Sequence, residues 1–421
     1  MRTVFALLLV LCVHSAPAAE PALELSQFEQ WALTGNPTLQ QAGALVTQSA
    51  AEARQAGLLP NPSVGYQGEQ LRGGQYGGGE QGAFVQQTFV LGGKLGLRRN
   101  VYEQQRREDE IGAAEQRERV LSDVGQSFYT ALAAQETVTL RHRLMEIAHD
   151  AVETAHQLAN VGQADTPDVL RAEVEAEQAK LDYEIAQRGY AQEFRVLAAL
   201  VGKPDLSIAS LKGDLENPPQ LKEQLLDQIV ADSPSVKRAQ QGIARAEAEV
   251  KSAKRESIPD LQVRAGLEQN SERLNDFGPG RVGLQGFAEA GVSLPIFNRN
   301  QGNVAAANAN LERARAEVTR AKLSLRQSAA PLWQAYLSGQ LEAARYQTEM
   351  IPRAERAHQL YLAKYRQMAA AYSPVLVSQR TLFQLQVAYI RVLESVWINA
   401  IALEHHALSG GLRELSDLGS R

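Results

Sequence analysis

Alternation of apolar and polar residues marks four short segments of the chain. The clearest runs from Leu261 to Glu268, where odd positions are apolar and even positions are polar or glycine. A period of two is typical of a β-strand with one apolar face and one polar face. The four predicted strands are residues 62–70, 83–91, 260–268 and 287–294. The second is the least regular, because Phe84 and Val85 face opposite ways.

The segments that follow each strand pair have the composition and period of helices. Residues 94–160 are rich in Ala, Glu, Gln, Arg and Leu and contain no proline. They predict one helix roughly 100 Å long, at about 1.5 Å per residue. After a short turn, a second helix is predicted over 168–201. A matching helical hairpin is predicted over 300–408, where Pro331 and Pro352 are expected to kink or break the helix.

The two halves of the chain repeat one unit. At a constant offset, Phe28 corresponds to Leu225 and Pro37 to Pro234. Each copy is predicted to contain a helix, two strands and a long helical hairpin, so the fold class is mainly α with two strand pairs. The predicted division is a signal peptide 1–18, a first repeat 19–202, a connector 203–218, a second repeat 219–410 and a C-terminal tail 411–421.

The N-terminus has the features of a secretory signal. An apolar run from Val4 to Val13 follows a basic residue and precedes small residues, so we expect residues 1–18 to be removed. The run is too short to span a bilayer, which takes about 20 residues. The single cysteine, Cys12, follows Leu11 rather than the small residue of a lipidation signal, so we expect no lipid anchor.

Strands with one apolar face and one polar face fit a transmembrane β-barrel with lipid outside and water inside. Each predicted strand is close to the ~9–11 residues that cross a bilayer. Four strands cannot close a barrel, and open sheet edges are not tolerated in hydrocarbon. Several chains must therefore share one barrel, and three copies would supply roughly twelve strands with cyclic symmetry. The charged helices would project to one side as a water-filled tube.

An ordinary soluble α+β protein with a plain coiled coil is the alternative interpretation of the same segments. One alternating segment gives weak support to a barrel, whereas four of them at equivalent places in a repeat give more. The formal net charge of the chain is -5, which argues against a nucleic-acid partner. We expect no cofactor.

Three motifs stand at the junctions between predicted elements. Leu59 to Pro62 precedes the first strand, Thr88 to Lys94 follows the second, and Leu294 to Gly302 follows the fourth. In order and spacing they resemble the TolC-type outer membrane efflux protein family, most closely its heavy-metal (CzcC/CusC-like) branch. The resemblance implies a homotrimer with a 12-stranded barrel in the outer membrane of a Gram-negative bacterium and an α-helical periplasmic tunnel.

The resemblance also implies a function and partners. The chain would be the passive exit duct of a tripartite efflux pump, beside a periplasmic adaptor (membrane fusion) protein and an inner-membrane transporter. Heavy-metal cations are the first expectation for its substrate, with drugs or other small organic molecules as the alternative. A soluble periplasmic coiled-coil adaptor or scaffold protein is the other function class. Such an adaptor would show a lipoyl-like β-domain and one helical hairpin instead of two repeats.

Family members contact the adaptor through two helix-turn-helix tips, which also form the periplasmic entrance. The residues that this resemblance assigns to the tips are Gly162, Asp165, Asp168, Val169, Leu170, Pro374, Val375 and Leu376. The second tip departs from the family pattern, since Met368 replaces the usual glycine and Val377 stands where some members have a gate aspartate. The resemblance therefore implies no acidic ring there. Asp165 and Asp168 are either acidic entrance residues or capping and solvated acids of a helix start.

Three histidines, His142, His149 and His156, recur every seven residues and would form one stripe along a helix. Successive members would lie about 10.5 Å apart along the axis, too far to share one metal ion at ~2 Å. Only symmetry-related copies could complete a site. A metal pathway and a solvated or pore-facing stripe are the two hypotheses.

Two further clusters invite an enzymatic interpretation that their spacing does not support. Gly92, Gly93 and Lys94 lack the upstream glycine of a phosphate-binding loop. His405 and His406 are adjacent, whereas a helical zinc protease needs histidines at i and i+4. We therefore expect no enzymatic activity and no catalytic residues.

Overall fold

The computed structural model describes residues 22–71, 79–162, 165–273, 280–367 and 372–413. The predicted signal peptide, with Cys12, lies outside the described residues, as does most of the predicted tail. The chain is mostly helical. Its elements in order are β1 Leu23–Glu24, α1 Leu25–Gly35, α2 Pro37–Ala56, β2 Ser63–Glu69, β3 Glu80–Phe89, α3 Lys94–Asn160, α4 Thr166–Leu200, β4 Leu211–Lys212, α5 Leu225–Asp232, α6 Pro234–Arg255, β5 Leu261–Arg273, β6 Arg281–Val292, α7 Gln301–Arg345, a π-helical segment Tyr346–Met350, α8 Ile351–Arg366 and α9 Tyr372–Glu404.

Helix α3 is continuous because its sequence consists largely of strong helix formers. Glycines delimit it at both ends. Gly92 and Gly93 precede it with φ of 70°, and Gly162 follows it with φ of 73°. Glycine adopts this left-handed conformation without a Cβ clash, so the chain can turn sharply before and after the helix.

The chain folds into two compact units. Unit 1 contains Met1–Asn36, Val120–Gln220 and Leu332–Ala402. Its core includes a cluster of aromatic side chains, in which Phe28 of α1 lies 5.8 Å from Phe128 of α3 between ring centroids. The same ring lies 6.3 Å from that of Phe194 of α4. All three side chains are buried, so α1 is fixed to the hairpin of α3 and α4 by apolar packing.

The connector between the repeats is fastened to unit 1 by side chains. Strand β4 lies within it and pairs in parallel with β1. The amide of Gln135 donates to the carbonyl of Leu211 at 3.0 Å and its oxygen accepts from the Leu211 N–H at 2.7 Å. Trp397 Nε1 donates to the carbonyl of Leu215 at 2.9 Å. Two-residue strands are too short to give a periodic signal, which is why the sequence predicts only an irregular segment.

Unit 2 contains Pro37–Arg119, Leu221–Pro331 and Leu403–Arg421. It includes an antiparallel sheet with the strand order β2-β3-β5-β6. The strand pairs of the two repeats therefore lie side by side, with β3 hydrogen-bonded to β5. Strands β2 and β6 form the two edges.

The two faces of this sheet differ in polarity. Because side chains alternate along each strand, the residues of one face are mostly Val, Leu, Ala, Tyr and Phe, and those of the other are mostly Gln, Glu, Gly, Asn and Arg. The large apolar side chains that are exposed on the first face are Val64, Tyr66, Val85, Phe89, Leu267, Leu284 and Val292. An apolar surface of this extent marks an interaction with lipid or with another protein.

The strand limits differ from the predicted ones mainly at the glycine-rich loops. Strand β6 begins at Arg281, although the sequence predicts residues 287–294, and β3 begins at Glu80 instead of 83. Glycine-rich segments give no apolar alternation, yet their backbone groups still pair, as Gly283 does with Asn270. Strand β6 ends at Val292, shortly before a proline that cannot donate to a ladder.

The two prolines of the second helical hairpin differ in their effect on the helix. Helix α7 continues through Pro331, so the helix does not break at that residue. The regular helix is interrupted instead over Tyr346–Met350, just before Pro352. Proline lacks an N–H, and its ring crowds the carbonyl four residues earlier, here that of Thr348. A wider π-turn relieves this crowding within an otherwise continuous helix.

Candidate functional site

The first tip, between α3 and α4, is shaped by Gly162 and Asp165. The N–H of Gly162 donates to the carbonyl of Ala159 at 3.0 Å and closes the helix end. Asp165 occupies the N-cap position of α4, where its carbonyl accepts from the N–H of Asp168 at 3.0 Å. Its side chain makes no capping hydrogen bond. Asp168 lies in the first turn of α4, with a carboxylate oxygen 3.7 Å from the guanidinium of Arg171.

An apolar cluster joins the two helical hairpins near their tips, within unit 1. It consists of Ala155 of α3, Val169 and Ala172 of α4, and Val375 of α9, all of them buried. Leu376 packs against the cluster and is partly buried. The cluster is built from small side chains, so the helices approach closely and leave little room for a larger or charged group.

Polar groups surround this cluster on the side of α8. Burial, and secondly the carboxylate of Asp168, raises the pKa of the Tyr365 hydroxyl. His358 Nδ1 lies 3.3 Å from Ser378 Oγ, which in turn donates to the carbonyl of Val375 at 2.8 Å. Burial lowers the pKa of His358. His358 of α8 and Ser378 of α9 thus link these two helices beside the cluster.

The structure gathers some of the residues predicted for the tips and leaves others apart. Val169, Val375 and Leu376 meet in the apolar cluster, whereas Leu170 is exposed. The sequence reasoning missed Ala155 and Ala172. The sequence does contain a signal for Ala155, because the alanines of α3 recur along one helix face as Ala148, Ala151, Ala155 and Ala159.

The histidine stripe lies on α3, and each member faces a glutamate. His142 Nδ1 is 3.7 Å from Glu146, and His149 Nε2 is 3.8 Å from Glu153, one turn along the helix. His156 Nε2 is 3.2 Å from Glu173 of α4. Within the part of the chain that the structure describes, no three His, Cys, Asp or Glu side chains are grouped so that they could bind a metal ion.

The two clusters considered for enzymatic chemistry have structural contacts in unit 2. Lys94 Nζ is 2.6 Å from Asp260 and donates to the carbonyl of Ile258 at 2.9 Å, so it ties the start of α3 to the loop before β5. His405 Nδ1 is 2.8 Å from Glu118, just beyond the end of α9.

Among the described helices, none combines the length and the apolar composition needed to cross a bilayer.

Comparison with known families decides between the function classes. The family model described as outer membrane efflux protein matches residues 30–203 and 225–407. The chain belongs to the outer membrane efflux protein family. The two matched ranges correspond to the two predicted repeats, and the unmatched segment between them lies in the predicted connector and the start of the second predicted repeat.

Relatives and solved structures of efflux proteins cover most of this outer membrane efflux protein. The cobalt-zinc-cadmium resistance protein CzcC of Cupriavidus metallidurans is 27% identical over 351 residues, which are 83% of this chain and 81% of the relative. The nickel-cobalt-cadmium resistance protein NccC of Alcaligenes xylosoxydans xylosoxydans is 27% identical over 75% of this chain and 72% of its own length. A crystal structure of CusC superposes with a TM-score of 0.76 at 17% identity, over 94% of this chain and 96% of that chain.

The family membership confirms the resemblance to outer membrane efflux proteins inferred from the junction motifs, and the relatives CzcC and NccC are named for metal resistance. It places this efflux protein in the outer membrane as a channel component of an efflux pump. The alternative of a soluble periplasmic adaptor is not supported, because the family match covers residues 30–203 and 225–407 and the fold is that of outer membrane channels.

Proposed function

We propose that this outer membrane efflux protein is the passive, homotrimeric exit duct of a tripartite pump for heavy-metal cations. Three chains would form a 12-stranded barrel in outer membrane lipid, and their helical hairpins would form a periplasmic tunnel. A periplasmic adaptor and an inner-membrane transporter would complete the pump, and the transporter would supply the energy. The duct would carry out no chemical step and would need no cofactor.

The observation that carries this proposal is the sheet of unit 2. One face is apolar and exposed, the other is polar, and edges β2 and β6 have no neighbouring strand within the described residues of the chain. Unpaired edges cost several kcal/mol per backbone group in hydrocarbon. Pairing β6 of one chain with β2 of the next satisfies both edges and directs every apolar face toward lipid. Three such sheets give an even number of strands in the range of known barrels.

Exposed apolar stripes on the hairpins of unit 1 support the trimer. On α4, Leu181 and Ile185 lie one turn apart on one face and are exposed. On the second hairpin, Leu337, Leu341, Leu360 and Tyr361 are exposed as well. Helices that project into water are expected to bury such stripes, and a neighbouring copy of the chain provides a matching apolar surface.

Replacing Leu181 and Ile185 together by glutamate should convert most of the trimer to monomer. Each carboxylate would be buried against an apolar neighbour without a partner, at a cost of several kcal/mol, and the change is repeated at every interface. Light scattering of the detergent-solubilised protein after size exclusion measures the mass. The control is Gln187→Glu, which adds a carboxylate at an exposed position on another face of α4. A double variant that remains fully trimeric would contradict the proposed interface.

The predicted adaptor contact is proposed for the tips and for a groove beside them in unit 1. The groove encloses about 880 Å³. Its lining residues are Arg141, Leu144, Ala148, Ala151, Ala172, Val174, Glu175, Gln178, Ala179, Asp182, Leu376, Gln379, Arg380, Phe383, Gln384, Val387, Ala388 and Arg391. An apolar floor with ion pairs at the rim, among them Arg141 with Asp182 at 2.7 Å, suits an amphipathic helix of a partner. Leu170, exposed at the first tip, would extend this contact, together with Gly162, Asp165, Asp168 and Pro374.

The substrate class rests on the relatives, whose names refer to resistance to cobalt, zinc, cadmium and nickel. The test is deletion of the gene, followed by growth in graded concentrations of these metals and of uncharged organic antibiotics. We expect sensitivity to one or more of the metals, restored by the gene in trans. Sensitivity to the organic compounds alone would favour the alternative, a duct for drugs or other small organic molecules.

The histidine stripe is not needed for this function. Replacing His142, His149 and His156 together by alanine is expected to leave metal tolerance unchanged. Each imidazole has a glutamate within 4 Å, and the described residues contain no group of three side chains that could hold an ion. Growth of the complemented deletion strain in cobalt, zinc and cadmium, at matched protein level, measures the effect. Lower tolerance in the triple variant would instead establish a metal pathway completed by the other copies.

A further inference from the structure

A row of alternating glycine and phenylalanine crosses the polar face of the sheet in unit 2. Gly65 lies opposite Phe84, Phe84 opposite Gly266, and Gly266 opposite Phe287. A Cβ atom at Gly65 would stand 2.4 Å from Cζ of Phe84, and one at Gly266 would stand 2.7 Å from Cζ of Phe287. The outer end of each ring therefore packs against the glycine of the neighbouring strand, where a Cβ atom would clash with it.

Arg264 is fixed upon this row. Its guanidinium carbon lies 4.0 Å from the ring centroid of Phe84 and 5.5 Å from that of Phe287. One terminal nitrogen, Nη2, donates to the side-chain oxygen of Gln67, and Nη1 is 3.7 Å from a carboxylate oxygen of Glu289. The Nε atom is buried and has no hydrogen-bond partner among the described residues. The rings of Phe84 and Phe287 and the amide of Gln67 thus hold the Arg264 guanidinium against the polar face of the sheet.

The remaining charges of this face are acidic. Glu289 faces Arg264 across the ladder and is the more exposed partner, with 64% of its side chain accessible against 28% for Arg264. Glu268 accepts from Gln67 at 3.2 Å, and Glu80 accepts from Asn270 at 2.7 Å. Among the strand side chains that the structure describes, Arg264 is the only cation on this face.

We propose that the pair of Arg264 and Glu289 sets the charge selectivity of the duct for small inorganic ions. The proposal rests on the proposed function, in which the polar face lines a water-filled lumen. Threefold symmetry would then place three such pairs at one height. Rings of charged side chains decide which ions enter a pore, and a low-dielectric wall strengthens their field. Because acidic side chains outnumber Arg264 on this face, the lumen would prefer cations, and Arg264 would weaken that preference. Glu289 would keep Arg264 from attracting anions.

The test is the reversal potential of purified full-length trimers in planar bilayers under a potassium chloride gradient. It gives the ratio of potassium to chloride permeability. Glu289→Gln should lower this ratio by about twofold or more, and Arg264→Gln should raise it by a similar factor. Arg264→Lys, which keeps the charge, should stay near the original ratio. The matched controls are Glu24→Gln and Lys212→Gln, which change the charge equally in an exposed ion pair of 2.8 Å in unit 1.

The measurement distinguishes a failure of the proposed charge selectivity from a failure of the proposed duct. If the channels conduct and both Glu289→Gln and Arg264→Gln leave the ratio of potassium to chloride permeability unchanged, the proposed selectivity of this pair is wrong. The proposed duct is then unaffected. If trimers without any substitution insert into the bilayer and do not conduct, the proposed duct is wrong, and the proposed charge selectivity is wrong with it. Should Arg264→Gln fail to assemble, Glu289→Lys carries the test, because Glu289 is exposed and contributes little packing. That variant should shift the preference toward chloride, and an unchanged ratio would overturn the proposed charge selectivity.

Discussion

Replacing Phe28 by alanine is expected to lower the free energy of unfolding of unit 1 by about 3–5 kcal/mol. The ring is fully buried and lies 5.3 Å from Trp31, 5.8 Å from Phe128 and 6.3 Å from Phe194 between ring centroids. Alanine would forfeit the transfer free energy of the ring and leave a cavity at the point where α1, α3 and α4 meet. It would also remove three aromatic pairs, each contributing about 0.5–1.5 kcal/mol beyond burial.

Tryptophan fluorescence during thermal denaturation in detergent measures this effect selectively. The three tryptophans of the chain, Trp31, Trp333 and Trp397, all belong to unit 1. The midpoint should fall by on the order of 10 °C for Phe28→Ala. Phe28→Leu is the matched control, since it keeps most of the apolar volume while losing the aromatic pairs, so it should cost clearly less than Phe28→Ala. Equal midpoints for the alanine and leucine variants would show that the cluster is not a core.

The parts of the fold that could be predicted from the sequence are those with a local signal. The change of period from about 3.6 to two separates helix from strand, so the alternation at Leu261 predicts β5 and the proline-free run after Lys94 predicts α3. The repeat adds a check, because Phe28 and Leu225 stand at equivalent positions of α1 and α5. These features follow from residues close together in the chain.

Strand ends and helix interruptions were harder to predict because backbone pairing decides them. Gly283 and its neighbours belong to β6 because their backbone pairs with β5, and this pairing produces no pattern of apolar and polar residues in the sequence. Pro331 and Pro352 look alike in the sequence, yet only the second is preceded by a π-turn.

The contacts of the candidate sites could not be predicted, since they join residues far apart in the chain. The tip cluster brings Ala155 of α3 against Val375 of α9, and nothing local to either residue indicates the other. Arg264 meets Gln67 and Glu289 only because the sheet places the two repeats side by side. The family resemblance indicated the tips as regions but not which of their side chains are buried.

Replacing Val375 by aspartate is expected to separate the two hairpins at their tips and to enlarge the entrance of the duct. Only 2% of Val375 is exposed, and it packs among Ala155, Val169 and Ala172. A carboxylate there would have no partner in the cluster, and burying it would cost several kcal/mol. The hairpins would part so that water reaches the charge. Single-channel conductance in planar bilayers should rise, and limited trypsin digestion should cut near the tips sooner.

Thr381→Asp is the matched control, because it introduces the same charge further along α9 at an exposed side chain. It should change neither the conductance nor the rate of cleavage, since its carboxylate stays in water. The comparison therefore isolates burial from charge. If both aspartate variants raise the conductance equally, the charge at the entrance is responsible and the apolar cluster is not a closure. If Val375→Asp speeds cleavage without raising the conductance, the cluster joins the hairpins but does not limit the entrance.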